Sequence, residues 1–290
     1  MIGQKRFAHI NELLNQKLEE KKTLIAVHRG AWGGNIIENT LPSFRISLEE
    51  GGDMFECDLS MSTDSDLYCF HDGYEQRLLG RSENIKTMSS AEIDDLIYMN
   101  SIGDVSCFHV TKFEEVPKTF CHGELYNIDR AWDYLPQVDA ILQNYPDAIH
   151  QAVIKTHVKE EYLEFFQNCP RKYMYMPIAR TMDDVQKALS YTDINLVGIE
   201  ILAKKETDDL FLEENVRWIQ EQGLFVWVNT LNLSGMARTL LYAHLDDDTA
   251  MLGNPDASWG VLLDRGIDVI QTDWPGALCR YRGKWMKNKC

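Results

Sequence analysis

Short apolar segments alternate with helical segments along most of this 290-residue chain. The apolar segments predict strands near residues 23–28, 53–58, 125–129, 149–155, 173–178, 196–201, 224–229 and 267–272. Amphipathic segments predict helices over residues 40–51, 136–145, 158–168, 182–190, 209–221 and 256–265. Eight strands with interleaved helices are typical of a closed (β/α)8 barrel of TIM type, and we favour this α/β fold over an open doubly wound sheet.

Two stretches interrupt the regular alternation. Asp64-Ser65-Asp66 has the composition of a turn, so the second strand is expected to continue past residue 58 and to fold back as a β-hairpin arm that returns His71 toward the barrel mouth. Residues 73–122 lack a barrel pattern and are expected to form a small cap insertion over that mouth. The polar stretch 243–255, which contains Asp246-Asp247-Asp248, is expected to be a solvated loop.

The N-terminal residues fit a single-domain organisation. Within residues 1–22, apolar residues at helical spacing predict a lead helix: Ile10, Leu13, Leu14 and Leu18. Because the chain length suits the roughly 250 residues of a typical barrel, we expect one α/β-barrel domain over residues 1–290.

Composition and net charge limit the classes of molecule that the protein is expected to bind. A net charge of −16 opposes binding to nucleic acid, and an anionic substrate would need a locally positive pocket. Seven cysteines without metal-ligand spacing are expected to be reduced core residues. Since no apolar run approaches the roughly 20 residues of a membrane span, stable membrane insertion is not expected. These features favour the cytoplasm, and homo-oligomers are left open.

Ionisable residues follow three early strands. His28 and Arg29 follow the apolar run 24–27, Glu56 and Asp58 end the second strand, and His71 ends the hairpin arm. In parallel barrels the carboxyl ends of the strands build the active site. Two histidines, an arginine and two carboxylates at one mouth therefore predict phosphate ester chemistry on a bound metal.

The carboxylates predict where that metal binds. Glu56 and Asp58 are two residues apart on a strand, so both side chains point to the same face. Oxygen ligands select a hard cation, Mg²⁺ or Ca²⁺, and Asp129 at the end of the next barrel strand is the natural third ligand. The alternative is a solvated acidic rim on an acidic protein.

The histidines and the arginine are candidates for proton transfer and phosphate binding. An unperturbed imidazole has a pKa of about 6.5, so either His28 or His71 can accept a proton while the other donates one. Which histidine is the acid is left open. Arg29 could bind phosphate oxygens, form a salt bridge to Glu38 or Asp273, or do both.

Six segments follow one another in order between residues 24 and 278: His28-Arg29-Gly30, Glu38-Asn39-Thr40-Leu41-Pro42-Ser43-Phe44, Glu56-Cys57-Asp58, Phe70-His71-Asp72, Val226-Trp227-Val228-Asn229 and Thr272-Asp273-Trp274-Pro275. Their order and spacing resemble the glycerophosphodiester phosphodiesterase family, with its phosphatidylinositol phospholipase C-like barrel. The resemblance implies metal-dependent hydrolysis of glycerophosphodiesters, small molecules of lipid and glycerol metabolism, to glycerol 3-phosphate and an alcohol.

The chain departs from the family pattern near the third predicted metal ligand. The family usually has Glu where this chain has Asp129, and it commonly has a lysine two residues later, where this chain has Ala131. Lys155, at the end of the next strand, is predicted to take over that phosphate contact, the alternative being a solvent-exposed lysine. Arg130 is expected to face away from Asp129.

Three further residues complete the predicted site. Glu38 is expected to orient its neighbours, Asn39 to cap the first helix, and Trp227 to contact either the substrate or the barrel core. The nucleophile is either water or the glycerol 2-hydroxyl. Two other functions stay open: a phospholipase D-like enzyme that cleaves lysolipids or sphingolipids by cyclisation, and a catalytically silent barrel that only binds.

Overall fold

The computed structural model describes residues 1–232 and 240–289 of the chain. Its strands in chain order are β1 (Leu24–Val27), β2 (Met54–Met61), β3 (Leu67–Cys69), β4 (Ile97–Met99), β5 (Val105–His109), β6 (Leu125–Asp129), β7 (Ala152–His157), β8 (Met174–Ala179), β9 (Gly198–Ile201), β10 (Phe225–Asn229) and β11 (Val269–Thr272). Among these residues, eight strands pair in parallel in the order β1-β11-β10-β9-β8-β7-β6-β2, and β1 also pairs with β2. The predicted TIM-type barrel is therefore confirmed.

Helices connect the strands and cover the outside of the barrel. They are α1 (Glu12–Lys21), α2 (Leu41–Glu49), α3 (Glu75–Leu79), α4 (Ser90–Asp94), α5 (Glu115–Thr119), α6 (Leu135–Leu142), α7 (Ala148–Gln151), α8 (Glu160–Asn168), α9 (Met182–Ser190), α10 (Glu213–Glu221), α11 (Trp259–Asp264) and α12 (Pro275–Lys289). Within the described ranges, no helix is both long and apolar enough to cross a bilayer.

Two elements differ from the sequence prediction. The strand predicted for 149–155 begins only at Ala152, because residues 148–151 form α7, whose Ile149 packs against the core. A short apolar run does not by itself distinguish helix from strand. No element was predicted after residue 272, yet α12 continues to Lys289 and is anchored by a buried ion pair between Arg282 and Asp53.

The amino-terminal half of the barrel interior is apolar. Met54 and Trp227 belong to a buried cluster formed by the inward-facing residues of the strands. Phe7 and Ile10, which precede α1, and Leu14 of α1 join the same cluster, so the amino-terminal segment closes this end of the barrel. Each of the large side chains stabilises the fold by roughly 1.5–3 kcal/mol through burial. Polar residues are consequently concentrated at the opposite, carboxyl end.

The hairpin arm and the insertion after the second strand are also confirmed. β2 continues past residue 58 and pairs in antiparallel fashion with β3, with Leu59 opposite Cys69. Between β3 and β6 lie α3, α4, α5 and a separate two-stranded sheet made of β4 and β5. Apolar side chains of this inserted segment form their own buried cluster, which includes Tyr68 and Phe70 of the arm.

Candidate active site

Three carboxylates meet at the carboxyl end of the barrel. Glu56 and Asp58 come from β2 and Asp129 ends β6, and one oxygen of each lies within 4.8 Å of the others. Glu56 Oε2 accepts a hydrogen bond from Arg29 N at 2.9 Å, whereas Glu56 Oε1 is buried without a hydrogen-bond partner among the described residues. A buried, unpartnered oxygen beside two other acids fits a ligand of a hard cation. This carboxylate cluster (Glu56, Asp58 and Asp129) can therefore hold the expected divalent ion.

A cavity of about 160 Å³ opens above the cluster at the barrel mouth. We call it the mouth cavity. The predicted site residues that line it are His28, Arg29, Asp58, His71, Asp129 and Lys155. Glu200 and Asn229, which the sequence did not single out as functional, line it as well. The fold thus brings the candidate acid–base, phosphate-binding and metal-binding residues to one place.

Glu56 and Asp58 are adjacent acids with opposite protonation behaviour. Burial, followed by the charge of Asp58, raises the pKa of Glu56 from 4.5 to about 8. Burial also opposes ionisation of Asp58, but the Arg29 guanidinium, whose Nε lies 3.0 Å from Asp58 Oδ2, lowers the pKa of Asp58 to about 2. Binding of a cation to the cluster would therefore release a proton from Glu56 near neutral pH.

Arg29 is held in one position beside the cluster. Its backbone has a φ of 54°, and its guanidinium pairs with Asp58 and with Glu38, each at 3.0 Å. The Tyr74 ring lies 4.7 Å from the same guanidinium. Buried Glu38 also pairs with Arg77 at 2.7 Å. The expected Arg29–Glu38 salt bridge is therefore present, while contact of Arg29 with a phosphate stays a prediction.

Asn39 supports the cluster and does not cap the helix. Its Nδ2 donates to Asp58 Oδ2 at 3.0 Å, and its Oδ1 accepts from Asp58 N at 3.0 Å. The cap of α2 is Thr40, whose side chain accepts a hydrogen bond from Ser43 N. The prediction of Asn39 as the cap was wrong, because its left-handed φ of 56° turns the amide toward β2.

The two histidines have different partners. His28 Nδ1 donates to Asp273 Oδ1 at 2.9 Å; burial alone would lower the pKa of His28, but this hydrogen bond and the charge of Asp273 raise it. His71 Nδ1 donates to the Asp72 carbonyl at 2.8 Å, and burial lowers the pKa of His71 despite the opposing charge of Asp58. His28 thus favours the protonated imidazolium form and His71 the neutral imidazole form.

Asp247 positions the partner of His28. Its carboxylate accepts hydrogen bonds from Asp273 N at 3.0 Å, Thr272 Oγ1 at 2.8 Å, Thr230 Oγ1 at 2.6 Å and Trp259 Nε1 at 3.0 Å. Burial raises the pKa of Asp247 to about 7. The expectation of a solvated loop was wrong here, since Asp247 is buried by contacts that no local sequence pattern reveals.

Lys155 points into the barrel mouth. Its ammonium lies 2.7 Å from Asp129 Oδ2 and 2.9 Å from Glu200 Oε2, and the residue is only 2% exposed. Burial would lower its pKa, but the charges of Asp129 and Glu200 raise it, so the ammonium stays charged. The alternative of a solvent-exposed lysine does not describe this position. Contact with a phosphate stays a prediction.

Arg130 lines the barrel mouth, whereas Trp227 lies in the barrel interior. Arg130 was expected to face away from the mouth, but its φ of 56° breaks the strand pattern and its side chain lines the mouth cavity, paired with Asp72. Trp227 is fully buried in the barrel interior, the second of its two expected positions. Its ring centroid lies 5.7 Å from the Lys155 ammonium.

Sequence comparisons match parts of the chain. The model of a family described as a domain of unknown function (DUF4996) matches residues 175–282. Two curated relatives from Mycobacterium tuberculosis strains, both named "Probable glycerophosphodiester phosphodiesterase 1", are 34% identical over 74 residues. That match covers 26% of this chain and 27% of each relative. It therefore spans about a quarter of the curated relatives' length.

Solved structures match nearly the whole chain at low identity. A glycerophosphoryl diester phosphodiesterase from Parabacteroides distasonis has a TM-score of 0.77 at 17% identity, covering 95% of this chain and 92% of its own. A glycerophosphodiester phosphodiesterase from Agrobacterium tumefaciens has a TM-score of 0.61 at 21% identity, covering 90% and 99%. An Oleispira antarctica phosphodiesterase, solved with the product sn-glycerol-3-phosphate, has a TM-score of 0.65 at 16% identity, covering 90% and 96%. The resemblance to the glycerophosphodiester phosphodiesterase family is thus confirmed at the level of the fold.

Proposed function

We propose that this chain is a metal-dependent phosphodiesterase that hydrolyses glycerophosphodiesters to glycerol 3-phosphate and an alcohol. The observation that carries the proposal is the carboxylate cluster, with its unpartnered Glu56 oxygen, next to two histidines and two cationic side chains at one cavity. The names of the similar proteins support the same activity. The proposed cation is Mg²⁺ or Ca²⁺, the cytoplasmic location stays a prediction, and homo-oligomers stay open.

The phosphate of the diester would be bound by a divalent cation and by two cationic side chains. A divalent cation held by Glu56, Asp58 and Asp129 would stabilise charge on the phosphate and lower the pKa of a coordinated hydroxyl or water. Arg29 and Lys155 line the same cavity and can donate charge-assisted hydrogen bonds to the phosphate oxygens.

The histidines carry the proton transfers. With Nδ1 engaged by a backbone carbonyl, neutral His71 presents Nε2 to accept the proton of the attacking water. If the glycerol 2-hydroxyl attacks instead, His71 accepts its proton, and a water then opens the resulting cyclic phosphate with the roles of the two histidines reversed. The carboxylate of Asp273 stabilises His28 as imidazolium, so His28 gives its Nε2 proton to the departing alcohol as the phosphorus–oxygen bond breaks.

A panel of glycerophosphodiesters tests the proposal, with enzymatic detection of glycerol 3-phosphate as the measurement. We expect turnover that chelator abolishes and that Mg²⁺ or Ca²⁺ restores. His28→Ala and His71→Ala should each lower kcat by about 100-fold or more. Absence of turnover with every head group and cation would instead support the catalytically silent binding protein.

Exposed apolar side chains beside the mouth favour a second candidate, cleavage of lysolipids. Trp32 is 46% exposed, Trp274 is 50% exposed and Ile102 in the inserted segment is 79% exposed. Trp32 lies between two cavities of about 480 and 430 Å³, the first of which reaches Asp273 and the second Ile102. Apolar surface of this kind next to a phosphodiester site can receive an acyl chain.

The two candidates differ in their dependence on this apolar surface. If lysolipids are the substrate, Trp32→Ala should reduce turnover of lysophosphatidylcholine roughly tenfold while leaving glycerophosphocholine unaffected. If water-soluble diesters are the substrate, wild-type turnover of glycerophosphocholine should exceed that of lysophosphatidylcholine. A cyclic phosphate product would distinguish cyclisation from hydrolysis by water.

A further inference from the structure

The Lys155 ammonium pairs with carboxylates from two strands that are not neighbours in the barrel. Lys155 belongs to β7, and its two carboxylate partners are Asp129 at the end of β6, at 2.7 Å, and Glu200 on β9, at 2.9 Å. The intervening strand β8 contributes apolar Met176 and Ile178 at the register positions of Lys155 and Glu200. The long lysine side chain therefore reaches across β8 to a partner two strands away.

Glu200 is itself held by two further residues. Its Oε1 accepts a hydrogen bond from Asn229 Nδ2 at 2.9 Å, and Asn229 Oδ1 accepts one from Trp227 Nε1 at 2.7 Å. All three residues are buried. Because a buried polar group without a hydrogen-bond partner is strongly unfavourable, each of these groups is held in place by its partner. The chain Trp227–Asn229–Glu200 thus fixes the second anchor of the ammonium.

The second anchor determines what Lys155 can do at the mouth. With Asp129 as its sole anchor, the ammonium would lie fully on a residue of the carboxylate cluster and would oppose a cation there. Pairing with Glu200 holds the ammonium partly toward β9, and both Lys155 and Glu200 line the mouth cavity. A lysine held in this way keeps an N–H donor for an anion entering the cavity.

We propose that Glu200, fixed by Asn229 and Trp227, is a positioning residue that holds Lys155 as an anion-binding group and limits its competition with the metal at Asp129. The proposal rests on the proposed function, since the anion in question is the phosphate of the substrate or product. The proposed role of Glu200 requires no contact with the substrate. Glu200 acts through Lys155.

Binding of sn-glycerol 3-phosphate, measured by calorimetry in Mg²⁺, tests the proposal without requiring turnover. Glu200→Gln keeps an acceptor for Asn229 but removes the charge, and it should weaken binding roughly tenfold. Glu200→Asp keeps the charge and should fall between Glu200→Gln and wild type. Lys155→Met should weaken binding roughly 30-fold. Asp139→Asn, which removes a carboxylate from an ion pair on outer helix α6, is the matched control and should bind as wild type.

Titration with Mg²⁺ alone supplies the second measurement. Lys155→Met should bind Mg²⁺ more tightly than wild type, whereas Glu200→Gln should bind it more weakly. If Glu200→Gln folds normally and binds both ligands like wild type, Glu200 is merely structural and the proposal is overturned. If the binding order holds but no diester is turned over, the proposed function fails while the role of Glu200 stands.

Discussion

Replacing Glu56 by glutamine is expected to stabilise the metal-free protein and to abolish its stabilisation by a divalent cation. The Glu56 carboxylate is fully buried and lies in the cluster with Asp58 and Asp129. A glutamine can still accept the hydrogen bond from Arg29 N, and its amide group can donate to the two remaining carboxylates. The substitution therefore replaces a buried acid whose ionisation is unfavourable by a neutral group of nearly the same shape.

The magnitude follows from the raised pKa of Glu56. Burial and the charge of Asp58 raise that pKa from 4.5 to about 8, so the folded protein binds the proton more tightly than the unfolded chain does. The stability linked to this proton is fully present below pH 4.5 and is lost as the pH rises toward 8. Relative to low pH, ionisation of Glu56 lowers the free energy of unfolding by about 3 kcal/mol at pH 7 and by less than about 1 kcal/mol at pH 5. Glutamine does not titrate and avoids this loss.

Thermal or urea unfolding in chelator at pH 5 and pH 7 measures the effect. The advantage of Glu56→Gln should be large at pH 7 and small at pH 5, and added Mg²⁺ should stabilise only the wild type. Glu75→Gln is the matched control, because Glu75 is also buried but accepts hydrogen bonds from Gly73 N and Ile85 N. A Glu56→Gln variant no more stable than wild type in chelator at pH 7, or equal stabilisation of both proteins by Mg²⁺, would contradict this prediction.

Three further substitutions probe other parts of the molecule. Asp273→Asn should lower the pKa of His28, because the Asp273 carboxylate raises it. The alkaline limb of the pH profile of kcat/KM should therefore move to lower pH, and an unmoved limb would contradict the role of His28 as the acid. Arg282→Ala should cost about 3–5 kcal/mol in urea unfolding, since it leaves Asp53 buried without its cation. Asn39→Ala should weaken Mg²⁺ affinity about tenfold or more, and unchanged affinity would exclude its support of the cluster.

Much of the fold could be predicted from hydrophobic pattern because barrel strands are apolar on both faces and are separated by amphipathic helices. The two failures have different causes. Residues 148–151 are too short a run to show a period, and α12 carries Gly276 and Gly283 and is held by the tertiary ion pair of Arg282 with Asp53. Elements that depend on such distant contacts leave little local signal.

The candidate site was predictable where strand geometry alone places the side chain. Glu56 and Asp58 share a face because side chains alternate along β2, and Asp129 lies opposite Asp58 in the parallel register. Arg130 and Asn39, which have left-handed backbone, were misplaced because a regular strand and an ordinary helix cap were assumed. Asp247 was missed because its burial depends on donors from distant segments.

The two ends of the barrel have opposite energetic roles. At the amino-terminal end, Leu14 and its apolar neighbours plug the barrel, and the Arg282–Asp53 pair ties α12 beside β1. At the mouth, Glu56 is buried against other acids and is offset only in part by Arg29 and Lys155. Because the mouth keeps a buried acid whose ionisation is unfavourable until a cation binds, it destabilises the metal-free fold. Substitutions that relieve its repulsion should therefore stabilise the fold at the expense of metal binding, whereas those that improve packing around Leu14 should stabilise it without that loss.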